Sequence, residues 1–200
     1  MRIHEIIFKS RIWGKEIETM DRKIKITSLA FIFITFTTAA VYSKTDSDIF
    51  FSAAVTFGTI SYHFVMRLAA GAAVNCIMHN RADYKKGWFR TFPFEKKVYE
   101  KLRVKSWKDK LPSYDRDIFS LKKHSFDELA QASCQAELVH EIIAVLSFLP
   151  LSAVPKFGAF PVFFITSLLA ACFDMLFVII QRYNRPRFAK LAAGESKTAH

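Results

Sequence analysis

Four apolar stretches, set apart by charged segments, organise the chain. The first runs from Ile26 to Tyr42 without a charge. At about 17 residues it reaches the lower limit for crossing a hydrocarbon core of about 30 Å. Lys44, Asp46 and Asp48 form a short outer turn before the second stretch, Ile49 to Met78, which is long enough to cross with tilt and carries His63 and Arg67. The third runs from Leu138 to Val154, where Pro150 and Pro155 bend or end it. The fourth, Phe160 to Ile180, starts near Pro161, contains Asp174 and ends abruptly at Gln181-Arg182-Tyr183-Asn184-Arg185-Pro186-Arg187. The pattern predicts an all-α integral membrane protein with about four transmembrane helices in two hairpins.

The polar stretch between the hairpins has a pattern of its own. Pro93 can start a helix. Phe94, Val98 and Leu102 then recur every four residues, with Lys96, Lys97, Lys101 and Arg103 between them. One apolar face, one basic face and flanking aromatics predict a helix lying in the headgroup layer, with a soluble amphipathic helix as the alternative. Asp127 and Glu128 begin another helical pattern that leads into the third stretch. The chain thus divides into an N-terminal segment (1–25), a first hairpin (26–78), a basic segment (79–135), a second hairpin (136–181) and a tail (182–200) that is disordered after Leu191, all within one membrane domain.

Charge orients this arrangement. Of the 29 Lys and Arg residues, seven lie between Met1 and Lys25, fourteen between Arg81 and Lys123, and five from Arg182 onward. Basic loops stay on the cytoplasmic side, so the protein is expected to be multi-pass in the cell membrane with both termini cytoplasmic. A net charge of +11 also raises nucleic acid as a partner. No zinc finger, RNA-binding or helix-turn-helix signature accompanies the charge, so it is assigned to anionic lipid headgroups and no nucleic acid is expected. Cys76, Cys134 and Cys172 match no zinc spacing and read as small packing residues. The first 25 residues do not read as a cleavable signal peptide.

Ionisable side chains within a membrane are costly and usually face a bundle interior or water. Three groups stand out. His63, Arg67, Asn75 and His79 are spaced in multiples of four on the second stretch, with Asp83 beyond, and form a slowly winding polar stripe; a packed His63 and a snorkelling Arg67 are the alternative. Glu137, His140 and Glu141 share one helix face. A carboxylate beside an imidazole suits general base chemistry, Glu-x-x-His also suits metal ligation, and an interfacial ion pair is the plain alternative. One such motif has too few ligands, so no metal is expected. Asp174 and Gln181 share a face. Pro186 pushes Arg185 out of helical geometry, so that Arg182, Arg185 and Arg187 project from a turn, either to hold phosphate or carboxylate or as an ordinary basic stop.

Three blocks occur in order: Tyr99-Glu-Lys-Leu-Arg-Val-Lys-Ser-Trp-Lys-Asp-Lys-Leu-Pro112, Glu137-Leu-Val-His140 and Gln181-Arg-Tyr-Asn-Arg-Pro-Arg187. Together they resemble the glycosyl-diaponeurosporenoate acyltransferases, small bacterial membrane proteins of carotenoid biosynthesis, over Phe94 to Leu191. The resemblance implies transfer of a fatty acyl chain onto a sugar hydroxyl of a glycosylated carotenoid. It implicates Arg103, Lys105, Trp107, Lys108, Glu137, His140, Arg182, Tyr183, Asn184, Arg185 and Arg187. The chain departs from the family pattern at Ala132 and Gln135, where an acid and an Arg are usual, and at Asp174 and Leu176, where Asn and Pro are usual.

These readings converge on a membrane acyltransferase whose acceptor is a hydroxyl of a lipid-like molecule, such as a glycosylated isoprenoid. His140, paired with Glu137 or Glu141 and supported by His79 and Asp83, is the expected base. Arg103, Lys105, Trp107, Lys108, Asp174, Arg182, Tyr183, Asn184, Arg185 and Arg187 are the expected substrate-binding residues. No cofactor is expected beyond an acyl donor such as acyl-CoA as co-substrate. The partners are membrane lipids and the two substrates. The rival is a non-enzymatic scaffold or subunit that binds anionic lipid or a protein through the basic segment.

Overall fold

A computed structural model describes residues 2–111 and 124–198. Among the described residues seven α-helices run in order: α1 (Arg2–Thr45), α2 (Asp48–Met78), α3 (Pro93–Lys101), α4 (Val104–Trp107), α5 (Phe126–Leu146), α6 (Val154–Phe157) and α7 (Phe160–Thr198). Short 3-10 turns at Gly87–Phe89, Lys108–Lys110 and Leu149–Ala153 link them, and no strand occurs among the described residues. Four of the described segments are long and apolar enough to cross a membrane: Arg22–Thr45, Asp48–Met78, Phe126–Phe157 and Phe160–Glu195. Residues 112–123 of the basic segment lie outside the described residues.

α1 and α2 form the first hairpin. Asp46 turns the chain with φ 49°, and Ser47, in extended conformation, precedes the first turn of α2. The helices approach at Gly58, where a Cβ would lie 3.4 Å from the Thr35 methyl. Thr35 Oγ1 and Ser61 Oγ share a hydrogen bond of 3.1 Å, and Phe31 stacks on Phe57 and Phe64. Only 6% of the α1 span is buried against 33% of the α7 span. α7 is therefore the central element and α1 a peripheral, lipid-facing one.

α5 starts within the segment assigned from sequence to the basic loop. The cause is a capping box: the Glu128 N–H donates to Ser125 Oγ at 3.2 Å and the Ser125 N–H to Glu128 Oε2 at 2.8 Å. α5 stops at Leu146, and Pro150 starts a 3-10 turn instead of bending a continuing helix. Gly158, at φ 70°, and Ala159, at φ 33°, reverse the chain into α7.

α7 corrects two expectations. It does not end at Gln181 but continues through Pro186 to Thr198, so Arg182, Arg185 and Arg187 project from a helix and not from a turn, and the stretch after Leu191 is helical. Proline costs a helix one N–H and crowds the preceding turn. Here side-chain bonds from Arg182 and Arg185 hold the flanking turns to α3 and α5.

α3 begins at Pro93 as expected. Its Phe94, Val98 and Leu102 are exposed, together with Trp88 and Phe92, an outward apolar stripe suited to a headgroup layer. The helix docks through Glu95, its buried residue, which lies beside that stripe. Val104, fully buried, seats α4. Cys134 packs with Ala82 and Phe89; Cys76 and Cys172 are exposed and so are not packing residues.

Candidate active site

The extensive α5–α7 contact, completed by α2 and α3, carries two polar layers. The first centres on Asp174, which is 1% exposed. Its Oδ1 lies 2.9 Å from His140 Nδ1, and its Oδ2 accepts from Arg67 Nη2. Arg67 Nη2 also donates to the Ala170 carbonyl at 3.3 Å. The His140 ring stacks on Phe177, centroids 4.6 Å apart and planes at 12°. One carboxylate from α7 thus holds an imidazole from α5 and a guanidinium from α2. With Nδ1 committed to Asp174, Nε2 is the ring nitrogen that can take a proton from a substrate. About a quarter of the His140 side chain (24%) stays exposed, so the ring is reachable.

The second layer is one helical turn away along α5. Glu137 is fully buried. Its Oε1 accepts from Arg182 Nη1 at 2.6 Å and its Oε2 from Arg185 Nη1. Arg182 Nη2 donates to Glu95 Oε1 at 2.6 Å and to the Arg90 carbonyl at 2.9 Å. Arg185 Nη2 donates to the Phe89 carbonyl at 2.6 Å. Two carboxylates and two guanidiniums balance and tie α3, α5 and α7 together. Burial pushes the Glu95 carboxyl up, but hydrogen bonds from Arg182, the Tyr99 hydroxyl and the Phe92 N–H outweigh it and hold it below the usual carboxylate range. Burial and the bond to Glu95 raise the Tyr99 hydroxyl.

Several expected contacts differ. His140 pairs with Asp174, not with Glu137 or Glu141, because both neighbours are engaged elsewhere: Glu137 with the two arginines, Glu141 Oε2 with Trp88 Nε1 at 2.9 Å. Sharing a face with His140 does not set which opposing side chains each residue meets. His79 and Asp83 do not complete the site. His79 is exposed and terminates α2 at φ 49°, its N–H on the Asn75 carbonyl at 3.0 Å. Asp83 is exposed and its Oδ1 accepts the Lys85 N–H at 2.9 Å, a local turn. Trp107 Nε1 donates to the Leu102 carbonyl at 2.9 Å, so the indole holds the α3–α4 corner together.

Arg103, Lys105, Arg182, Tyr183 and Arg187 come together around a cleft of about 1030 Å³, with Phe92, Lys96, Tyr99, Glu100 and Pro186 also on its walls. Arg187 Nη2 donates to the Tyr183 hydroxyl at 2.8 Å, and its guanidinium carbon sits 4.4 Å from that ring's centroid. Tyr183 meets Tyr99 edge-on at 5.6 Å. Asn184 and Lys108 are half-buried and do not line this cleft.

Glu95 was missed by sequence reasoning. Its one signal was a carboxylate three residues after Phe92, the residue that caps α3, inside a basic run, where its Oε1 accepts the Phe92 N–H at 3.0 Å. Gln135, noted only as a departure from the family pattern, joins the two hairpins: its Oε1 accepts the Asn80 N–H at 2.6 Å and its Nε2 donates to Asn75 Oδ1 at 3.2 Å.

Comparison with known proteins gives no match among curated proteins and none among solved structures. A family model described as Glycosyl-4,4'-diaponeurosporenoate acyltransferase matches residues 85–193. That span takes in α3, α5, most of α7 and both polar layers except Arg67. The chain therefore belongs to the glycosyl-4,4'-diaponeurosporenoate acyltransferase family and is a multi-pass membrane acyltransferase of carotenoid biosynthesis.

Proposed function

We propose that His140 is the general base of the transfer, oriented by Asp174, and that the acceptor is a hydroxyl of a lipid-like molecule, such as a glycosylated isoprenoid, that approaches from within the bilayer. The observation that carries this is the 2.9 Å contact between His140 Nδ1 and Asp174 Oδ1, made while Arg67 occupies the other carboxylate oxygen. Asp174 orients the ring, and Arg67 keeps the carboxylate in place.

The reaction proceeds without a covalent acyl-enzyme. His140 Nε2 takes the acceptor's hydroxyl proton as the oxygen attacks the carbonyl carbon of an acyl thioester. The tetrahedral intermediate collapses, the C–S bond breaks, and the imidazolium returns the proton to the leaving thiolate. The products are an ester and a free thiol. Phe173 and Phe177, edge-to-face at 5.1 Å, supply an apolar surface beside the ring for the acyl chain, each buried CH₂ contributing about 0.8 kcal/mol.

The same reading places both termini and the 79–135 segment on the cytoplasmic side, because basic residues concentrate there. The outward stripe of Trp88, Phe92, Phe94, Val98 and Leu102 then rests among inner-leaflet headgroups. Glu137 secures the arginines and stays out of the chemistry. The test is His140→Ala in membranes supplied with a labelled acyl thioester and a glycosylated isoprenoid. Loss of the labelled ester is expected; transfer at the wild-type rate would remove His140 from the mechanism.

A further inference from the structure

The cleft beside the ion-pair layer is lined by charge that the layer itself does not use. Arg182 is spent, since its donors go to Glu95, Glu137 and two backbone carbonyls. Lys96, Arg103, Lys105 and Arg187 remain, against the single further carboxylate of Glu100. Four cations facing one carboxylate make an anion site. Arg187 is held in advance by Tyr183 through both ring and hydroxyl, a contact that engages one of a guanidinium's five N–H donors and leaves others for a ligand. Arg103 adopts φ 51°, a left-handed backbone uncommon outside glycine. That turn breaks α3 from α4 at the rim, where Arg103 and Lys105 both line the cleft.

The cleft also stands in a fixed relation to His140. Arg182 on its wall binds Glu137, which precedes His140 by one turn of α5. Along α7, Asp174 and Arg187 are separated by ~20 Å at about 1.5 Å per residue. A phosphate in the cleft is therefore far from the imidazole. An acyl phosphate, whose phosphorus is one oxygen from the carbonyl carbon, cannot span that gap. A diacyl phospholipid, with its phosphate a few bonds from the ester, fits it poorly. A phosphate joined to its thioester by a long flexible arm spans it well.

We propose that this cleft holds the phosphates of a coenzyme A-type acyl thioester, with Arg103, Lys105 and Arg187 as the phosphate ligands and the pantetheine arm running past Arg182 to His140. This rests on the acyl-transfer reading above and specifies its donor. The shared chemistry is phosphate recognition, and the competing source is an anionic phospholipid headgroup.

The full chain in nanodiscs of zwitterionic lipid is titrated with CoA, the thiol product of the donor. Saturable binding is expected. Arg103→Ala with Lys105→Ala, and separately Arg187→Gln, are expected to weaken it about tenfold each, the loss of charge-assisted contacts. Arg103 and Lys105 are exposed, so the fold does not depend on them, and Arg103→Lys should recover part of the affinity. Absence of CoA binding, or binding indifferent to these substitutions, overturns the proposal. So does protection of residues 99–107 from hydrogen exchange by phosphatidylglycerol when CoA gives none, since the cleft would then be a headgroup site. If His140→Ala keeps both CoA binding and transfer, the base assignment fails while the cleft's ligand stands.

Discussion

Asp174 joins His140 to Arg67 across three helices. Its two oxygens divide between the imidazole of α5 and the guanidinium of α2. The three side chains act as a unit, so their substitutions should not add. His140→Ala is expected to lower transfer by about 10²–10⁴-fold, the usual contribution of a positioned base. Asp174→Asn should lower it substantially, and Arg67→Ala combined with Asp174→Asn should be no worse than Asp174→Asn alone. Initial rates of the wild type, Arg67→Ala, Asp174→Asn and the double variant with one labelled donor decide this; additive losses would mean that Arg67 acts elsewhere.

Glu137 predicts a defect in stability. Removing one member of a buried ion-pair network leaves uncompensated charge and costs about 3–5 kcal/mol. Glu137→Ala strands Arg185, which is 2% exposed. The variant should lose thermal stability in detergent, and Glu137→Met with Arg185→Met should regain much of it. Full stability of Glu137→Ala, with transfer lost, would instead make Glu137 part of the chemistry.

The docking of α3 should depend on pH. The folded-state carboxyl of Glu95 lies below its ordinary value of 4.5. A carboxylate lowered by folding stabilises the fold above its unfolded pKa, and that contribution fades as pH falls through the folded value. Protection from hydrogen exchange over residues 93–101, taken relative to the intrinsic exchange rate at each pH, should therefore be high at neutral pH and fall below about pH 4.5. Glu95→Gln should show low protection at every pH. Protection in the wild type that does not respond to acid would show that Glu95 does not hold the helix.

Pro186 distinguishes a continuous α7 from one that stops. A helix-interior proline costs about 3 kcal/mol relative to alanine. Pro186→Ala should raise the melting temperature without raising helical content by circular dichroism, because residues beyond it are already helical. A clear gain in helicity would mean that the native helix ends near Arg185.

Glu137 and His140 show how much of the site could be read from the chain. Their i, i+3 spacing marked them as neighbours on one face, and both do meet α7. The spacing carried no information on which acid would reach the imidazole. Asp174 was visible as a charge within an apolar run, yet it was assigned to ligand binding with the arginines after it. Glu95 was hidden because one acid in a basic amphipathic helix reads as solvated surface. His79 and Asp83 extended a polar stripe by period, but the left-handed turn at His79 ends the helix and takes both residues out of register.

The four spans, the helix start at Pro93 and the concentration of basic charge at the ends and middle of the chain followed from the sequence itself. Each depends on local free energies: transfer of consecutive apolar residues out of water, and the fixed φ of proline. The pairing of His140 with Asp174, the neutralisation of Glu137 by two arginines and the passage of α7 through Pro186 depended on packing. A buried charge selects whichever opposite charge lies within a few ångströms, and that choice is made by how helices distant in sequence come to rest against one another.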